Sequence, residues 1–310
     1  GLLEKMATAN PLCHKYNYYK QNYGSCIKIG TELAKEYFDW AWNEELSIGC
    51  FDEKFKSNNY SSDIFLKSKI CDFFKKITPK NIDDLSEEKR EELELIKQIR
   101  PHAVITTNYD NFLEVIFDDF TPIIGQKILK NQYNSIGEIF KIHGCVTEPE
   151  SLIITEKDYD EFKMKKKYLS AKMLTYFLEH PLIFIGYGVN DPNIQTILSD
   201  IDEILVSNSQ LVPNIFLLNW EESINEEKFY NLEELLNLED SKKIRIKSIV
   251  TDKYNWVFEA LINEDAVSNI NPKLLRALLA RTYELVRTDI PRKKVEINYE
   301  LLESALSDDS

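Results

Sequence analysis

The chain is poor in the features that staple a small fold or anchor one in a membrane. Its five cysteines, Cys13, Cys26, Cys50, Cys71 and Cys145, are odd in number and contain no Cys-x-x-Cys pair. That argues against a disulfide framework and against a zinc ribbon, and scattered free thiols suit a reducing cytoplasm. No apolar run is long enough to span a bilayer, and no secretory-type leader is present, so a cytoplasmic protein without membrane contact is expected. Basic charge is short: 38 Lys and Arg stand against 52 Asp and Glu, a net charge of −14. A surface this acidic repels phosphate backbones, so direct nucleic-acid binding is not expected. The one basic cluster, Arg292, Lys293 and Lys294, reads as a solvated run. Internal repeats and low-complexity tracts are absent.

What is present suits a large folded domain. The 310 residues are 43% hydrophobic, 12% aromatic and 29% charged, enough apolar material for a real core. Residues 1–100 read as mainly helical. Apolar residues recur at helical spacing over 27–42, a second helix is expected over 86–99 with Asp84 or Ser86 as its N-cap, and 57–62 reads as a loop. The character changes at Pro101. Short β-branched or apolar runs at 102–107, 138–142, 152–155, 182–185, 214–218 and 243–250 read as strands. Between them, 111–117, 165–179 and 192–205 read as helices, the last with Ile194, Ile197, Leu198, Ile201 and Leu205 on one apolar face. Such alternation predicts an α/β, Rossmann-like parallel sheet with helices on both faces, and ligands in such sheets bind beyond the carboxyl ends of the strands. From Ala266 the alternation stops and one amphipathic helix with Leu274, Leu275, Leu278 and Leu279 precedes Pro291. The expected division is therefore one domain over 1–265, made of a helical module (1–100) and an α/β core (101–265), followed by a helical extension or connector over 266–310.

Three strand ends concentrate polar residues. The first, Ile105-Thr106-Thr107-Asn108-Tyr109-Asp110, offers an amide and a carboxylate where a strand gives way to a helix. Plain helix capping is the competing explanation, since Asn and Asp are favoured N-caps. The second, Phe140-Lys141-Ile142-His143-Gly144, delivers a histidine suited to general-base work, or equally a hydrogen-bonded core histidine; its glycine lets the backbone turn or approach a ligand. The third runs from the strand at 182–185 into Gly186-Tyr187-Gly188-Val189-Asn190-Asp191-Pro192. Glycines there let backbone N–H groups approach a nucleotide, while Asp191 before Pro192 also fits an ordinary helix N-cap.

Together, in this order, the three segments resemble the sirtuins. Thr106-Thr107-Asn108-Tyr109-Asp110 is similar to their Thr-Gln-Asn-Ile-Asp motif, Lys141-Ile142-His143-Gly144 to their histidine–glycine motif, and Gly186 to Asp191 to their adenosine-ribose loop. The resemblance is closest to the sirtuin-like domains of bacterial anti-phage systems, the Thoeris effectors and defense-associated sirtuins, and covers roughly residues 101–261. It implies an NAD glycohydrolase that splits the nicotinamide–ribose bond, with NAD as substrate and no metal. Asn108 and His143 would be catalytic: Asn108 would hold the nicotinamide ribose or position a water, and His143 would act as base. Thr106, Thr107 and Asp110 would lie at the nicotinamide end, and Gly186, Tyr187 and Asp191 at the adenosine ribose. A homo-oligomer, and a defense partner or phage-derived trigger, are implied in the same way.

Two departures from the family accompany these matches. The four-cysteine zinc ribbon usual in sirtuin deacylases is absent, which favours hydrolysis over deacylation. The glycine-rich Gly-Ala-Gly-x-Ser phosphate loop is also absent. The opening Gly1-Leu2-Leu3-Glu4-Lys5 resembles the family's segment just after that loop, so the loop and a first strand are expected before Gly1. Two further readings stay open: an NAD-dependent deacylase or ADP-ribosyltransferase, and a non-catalytic nucleotide-sensing oligomerisation module.

Overall fold

A computed structural model describes residues 1–125, 137–162, 180–186, 198, 211–224, 229–237 and 243–262. The helices expected at 165–179, 192–205 and beyond 266 lie outside this set, apart from Leu198, which is buried. The chain divides into two compact units, which separate between Phe162 and Lys163.

The first unit opens with helices α1 (Leu2–Ala9), α2 (Tyr16–Tyr23), α3 (Cys26–Trp42), α4 (Ile64–Ile77) and α5 (Glu87–Ile99). The Ser25 hydroxyl caps α3 by accepting the Lys28 N–H. Ile29, Leu33, Tyr37, Trp40 and Ala41 then follow at helical spacing and are buried. They meet Ile64, Phe65, Leu66 and Ile70 of α4 in one apolar cluster. Each fully buried large side chain here stabilises the fold by roughly 1.5–3 kcal/mol. The same cluster takes in Cys145, Val146, Leu152 and Ile154, so one core joins the helices to the segment that follows His143. Helix α5 starts after Ser86, as expected, although no side-chain capping bond forms there. It ends at Arg100, whose φ of 47° is left-handed, just before Pro101, which cannot continue a helix.

Among the described residues the unit also holds three parallel strands, β1 (Ala103–Thr106), β2 (Thr121–Ile124) and β3 (Glu138–Lys141), in the order β1-β3-β2. Helix α6 (Phe112–Ile116) connects β1 to β2. Every residue of central strand β3 is buried, including the charged Glu138 and Lys141. The segment 121–124 was not expected as a strand; it is short, holds Pro122, and is defined by its pairing to β3.

In the second unit β4 (Leu182–Ile185), β5 (Leu211–Trp220), β6 (Glu233–Asn237) and β7 (Lys243–Thr251) form a sheet in the order β4-β5-β7-β6. The β4–β5 and β5–β7 pairs are parallel, and β6 runs antiparallel on β7. The β5–β7 register shifts between Val212 and Phe216, around Pro213, which has no N–H to give the ladder. Along β7, Ile244, Ile246 and Ser248 are buried and alternate with less buried residues, the period-two pattern of a half-covered strand. Helix α7 (Asn255–Leu261) follows, burying Val257 and Phe258.

The chain is thus α/β and Rossmann-like, with parallel strands flanked by helices and a helical N-terminal region. One expectation is corrected. Residues 152–155 are not a strand. Leu152 and Ile154 do point into the core, which is what made the run look like a strand. The backbone of this segment is bonded to side chains and to a neighbouring loop instead of a ladder.

Candidate active site

Strands β1 and β3 are neighbours, with Thr106 paired to Lys141 at their last rung. The Ile142 N–H donates to the Thr106 carbonyl at 3.0 Å, which carries the ladder one step beyond β3. Asn108 and His143 each lie two residues past that rung, on adjacent strands at the carboxyl edge of the sheet. Ligands gather at this edge of a parallel sheet.

The loop after β1 holds itself in place. Thr106 is buried, and its Oγ1 accepts the Asn108 N–H at 3.0 Å. Thr107 is half-buried and the Asn108 side chain is exposed. Tyr109 turns inward: its hydroxyl donates to the Ile153 carbonyl at 2.7 Å and its own carbonyl accepts the Val146 N–H at 2.9 Å. Burial pushes the Tyr109 phenol well above its ordinary pKa, so it stays a neutral donor. Asp110 Oδ1 accepts the Phe112 N–H at 3.0 Å. The bond closes an Asx turn just ahead of α6, whose N-cap position is Asn111 and carries no side-chain cap bond.

Lys141 ties this loop to the sheet. Its fully buried ammonium donates to the Asp110 carbonyl and to the Glu114 carboxylate, at 3.0 and 3.3 Å for the two oxygens. A buried ammonium persists only with such compensation. The sequence places Lys141 inside a motif without giving it a task; a charge directly after the apolar Ile139-Phe140 pair was the available signal.

His143 is 5% exposed. Its ring meets those of Tyr159 and Phe162 edge to face, with centroids 6.0 and 5.6 Å away. Its carbonyl accepts the Ile153 N–H at 3.1 Å. Gly144 follows at φ +96°, and a Cβ there would lie 2.2 Å from the Ser151 carbonyl oxygen. The close approach that requires glycine is made to the protein's own backbone. Ser151 closes the turn, with its Oγ accepting the Cys145 N–H at 3.0 Å and donating to the Glu148 carbonyl at 2.6 Å.

Gly186 follows β4 in the second unit, exposed and at φ +71°. Tyr187 and Asp191 lie outside the described residues. Thr106, Thr107, Asn108, Asp110 and His143 thus share one sheet edge in the first unit, and Gly186 belongs to the other. Among the described residues, no group of three or more His, Cys, Asp or Glu is placed to hold a metal ion, and no helix is long and apolar enough to cross a membrane.

Polar loops beyond the carboxyl ends of parallel strands mark the ligand edge of an α/β domain. Residues 102–244 match the model of the SIR2-like domain. Its relatives include the NAD(+) hydrolase ThsA of Acinetobacter baumannii (strain 532279), 28% identical over 158 residues, which are 48% of this chain and 33% of that protein. The NAD(+) hydrolase ThsA of Enterococcus faecium is 26% identical over 60% of this chain and 42% of its own length. Defense-associated sirtuin 2 of Bacillus subtilis is 29% identical over 56% of this chain and 18% of its own length. The matched part thus spans less than half the length of each of these relatives.

Proposed function

We propose that this chain is the NAD-cleaving domain of an anti-phage defense protein. The observation that carries the reading is that the Asn108 and His143 loops leave one sheet edge from the same rung, in a sirtuin-like domain whose relatives include proteins named NAD(+) hydrolases. The reaction is hydrolysis of the nicotinamide–ribose bond. Water adds to the ribose carbon, neutral nicotinamide leaves, and the water's proton is taken up. The leaving step builds positive charge on the sugar, which polar groups near it stabilise. Asn108, exposed at the edge, holds the nicotinamide ribose or orients the water, and His143 receives the proton. Thr106, Thr107 and Asp110 shape the nicotinamide end, chiefly by setting the backbone around Asn108. Gly186, Tyr187 and Asp191 take the adenosine ribose. The catalytic domain covers 1–265, with 266–310 as a helical extension. The protein works in the cytoplasm as a homo-oligomer, under a defense partner or phage-derived trigger that keeps NAD loss in check.

The test is nicotinamide release from NAD by the full-length protein. Asn108→Ala and His143→Ala are each expected to lower turnover by about 100-fold or more. Undiminished turnover in both would defeat the assignment. The burial of His143 favours a second reading, a non-catalytic nucleotide-binding module. Calorimetry that detects NAD binding to the assembled, triggered protein without nicotinamide release would select it.

A further inference from the structure

Lys67 lies on α4, remote in sequence from both motif loops, and its side chain is 3% exposed. Its Nζ is 2.7 Å from Asp63 Oδ2 and 2.6 Å from Asp158 Oδ1. One buried ammonium is thus held by two carboxylates, which offsets its desolvation. Burial alone would raise the Asp63 pKa, but the charge of Lys67 and hydrogen bonds from Lys67 and Ser61 outweigh it and hold Asp63 below its ordinary range. Asp158 is fixed from its other side as well. Its Oδ2 accepts the Ile154 N–H at 3.0 Å, and the Thr155 N–H and hydroxyl at 2.9 Å each.

Helix α3 grips the same segment. Thr31 Oγ1 accepts the Glu156 N–H at 2.8 Å. Gly30 lets the Ile154 carbonyl come so close that a Cβ would lie 2.7 Å from its oxygen. The segment held in this way touches both motif loops. The Ile153 N–H bonds the His143 carbonyl, the Ile153 carbonyl accepts the Tyr109 hydroxyl, and the Tyr159 ring packs on His143.

We propose that Lys67, acting through Asp158, is a positioning residue: it makes α3 and α4 a brace that sets the Asn108 and His143 loops for NAD cleavage. The catalytic half of this inference rests on the function proposed above; the brace itself does not. A loop pair held in this way keeps its reacting groups in register, and small displacements of such groups are costly to rate.

The experiment compares full-length wild type, Lys67→Met, Lys67→Arg and Thr31→Val by two readouts. These are backbone hydrogen exchange, followed at the Val146 and Ile153 amides, and nicotinamide release as NAD is varied. Lys67→Met is expected to lose protection at both amides and to lower kcat by about 10- to 100-fold while KM moves far less. Lys67→Arg recovers part of both. Thr31→Val keeps the ion pair and shows a milder loss of each, and it carries the test if Lys67→Met does not fold. Wild-type exchange at Val146 and Ile153 in both Lys67→Met and Thr31→Val overturns the brace. Loss of protection with kcat unchanged overturns the positioning role and leaves the brace. A wild type that releases no nicotinamide overturns the catalytic half together with the function it rests on, while the exchange data still decide the brace.

Discussion

The loops after β1 and β3 leave the sheet from one rung and end in opposite states. Asn108 is exposed, and its loop is held by side-chain-to-main-chain bonds around it, from Thr106 Oγ1 on one side and from Tyr109 and Asp110 on the other. His143 is buried between two aromatic rings, in a turn that only glycine can complete. One loop presents its side chain by fixing the backbone beneath it, and the other seals its side chain in packing. Substitutions therefore carry different information in the two places. At Asn108 a change reports mainly on chemistry; at His143 it mixes chemistry with stability.

The hardest test of this contrast is Gly144→Ala. The new Cβ would collide with the Ser151 carbonyl at a left-handed φ, so a loss of about 3 kcal/mol or more is expected in denaturant unfolding. Unchanged stability would show that the His143 turn is looser than its contacts imply. Lys141→Met is expected to cost about 3 kcal/mol, because it strands the Glu114 carboxylate against the sheet. Lys141→Met combined with Glu114→Leu should recover much of that loss, and strict additivity of the two would contradict the pairing.

Next come the two loop residues themselves. In thermal melts His143→Ala should lose about 2 kcal/mol, whereas Asn108→Ala should stay within about 0.5 kcal/mol of wild type. Equal losses would erase the distinction between the loops. Asp110→Ala removes the Asx-turn bond ahead of α6 and should cost about 1 kcal/mol.

The smallest effect concerns acid. Asp63 has a lowered folded pKa, so its contribution is complete above the unfolded carboxylate value and fades as pH falls from there through the folded one. Melts of wild type should therefore soften through that acid window. Asp63→Asn should soften less, and an identical pH slope in both would count against the Lys67 ion pair.

Much of the fold was readable from local pattern. The α3 and α5 helices, the β1, β3, β4 and β7 strands, and α6 fall close to where periodicity and capping residues put them. The readings failed where pairing, not local preference, makes the element. The β2 strand contains a proline and β6 is Glu-Glu-Leu-Leu-Asn; both exist because β3 and β7 lie alongside. Residues 152–155 erred the other way, since an apolar run can be buried without entering a ladder.

At the candidate site, residue type and order along the chain marked Thr106 to Asp110 and His143-Gly144, because strand ends announce themselves in composition. Nothing local told the exposed Asn108 from the buried His143, or showed that Gly144 serves the chain's own backbone. Nor did it show that Lys67 reaches Asp158 across 91 positions. Periodicity and caps are encoded within a few residues, so they survive in one dimension. Ion pairs, close approaches and burial depend on which distant segments meet, and only the folded chain decides that.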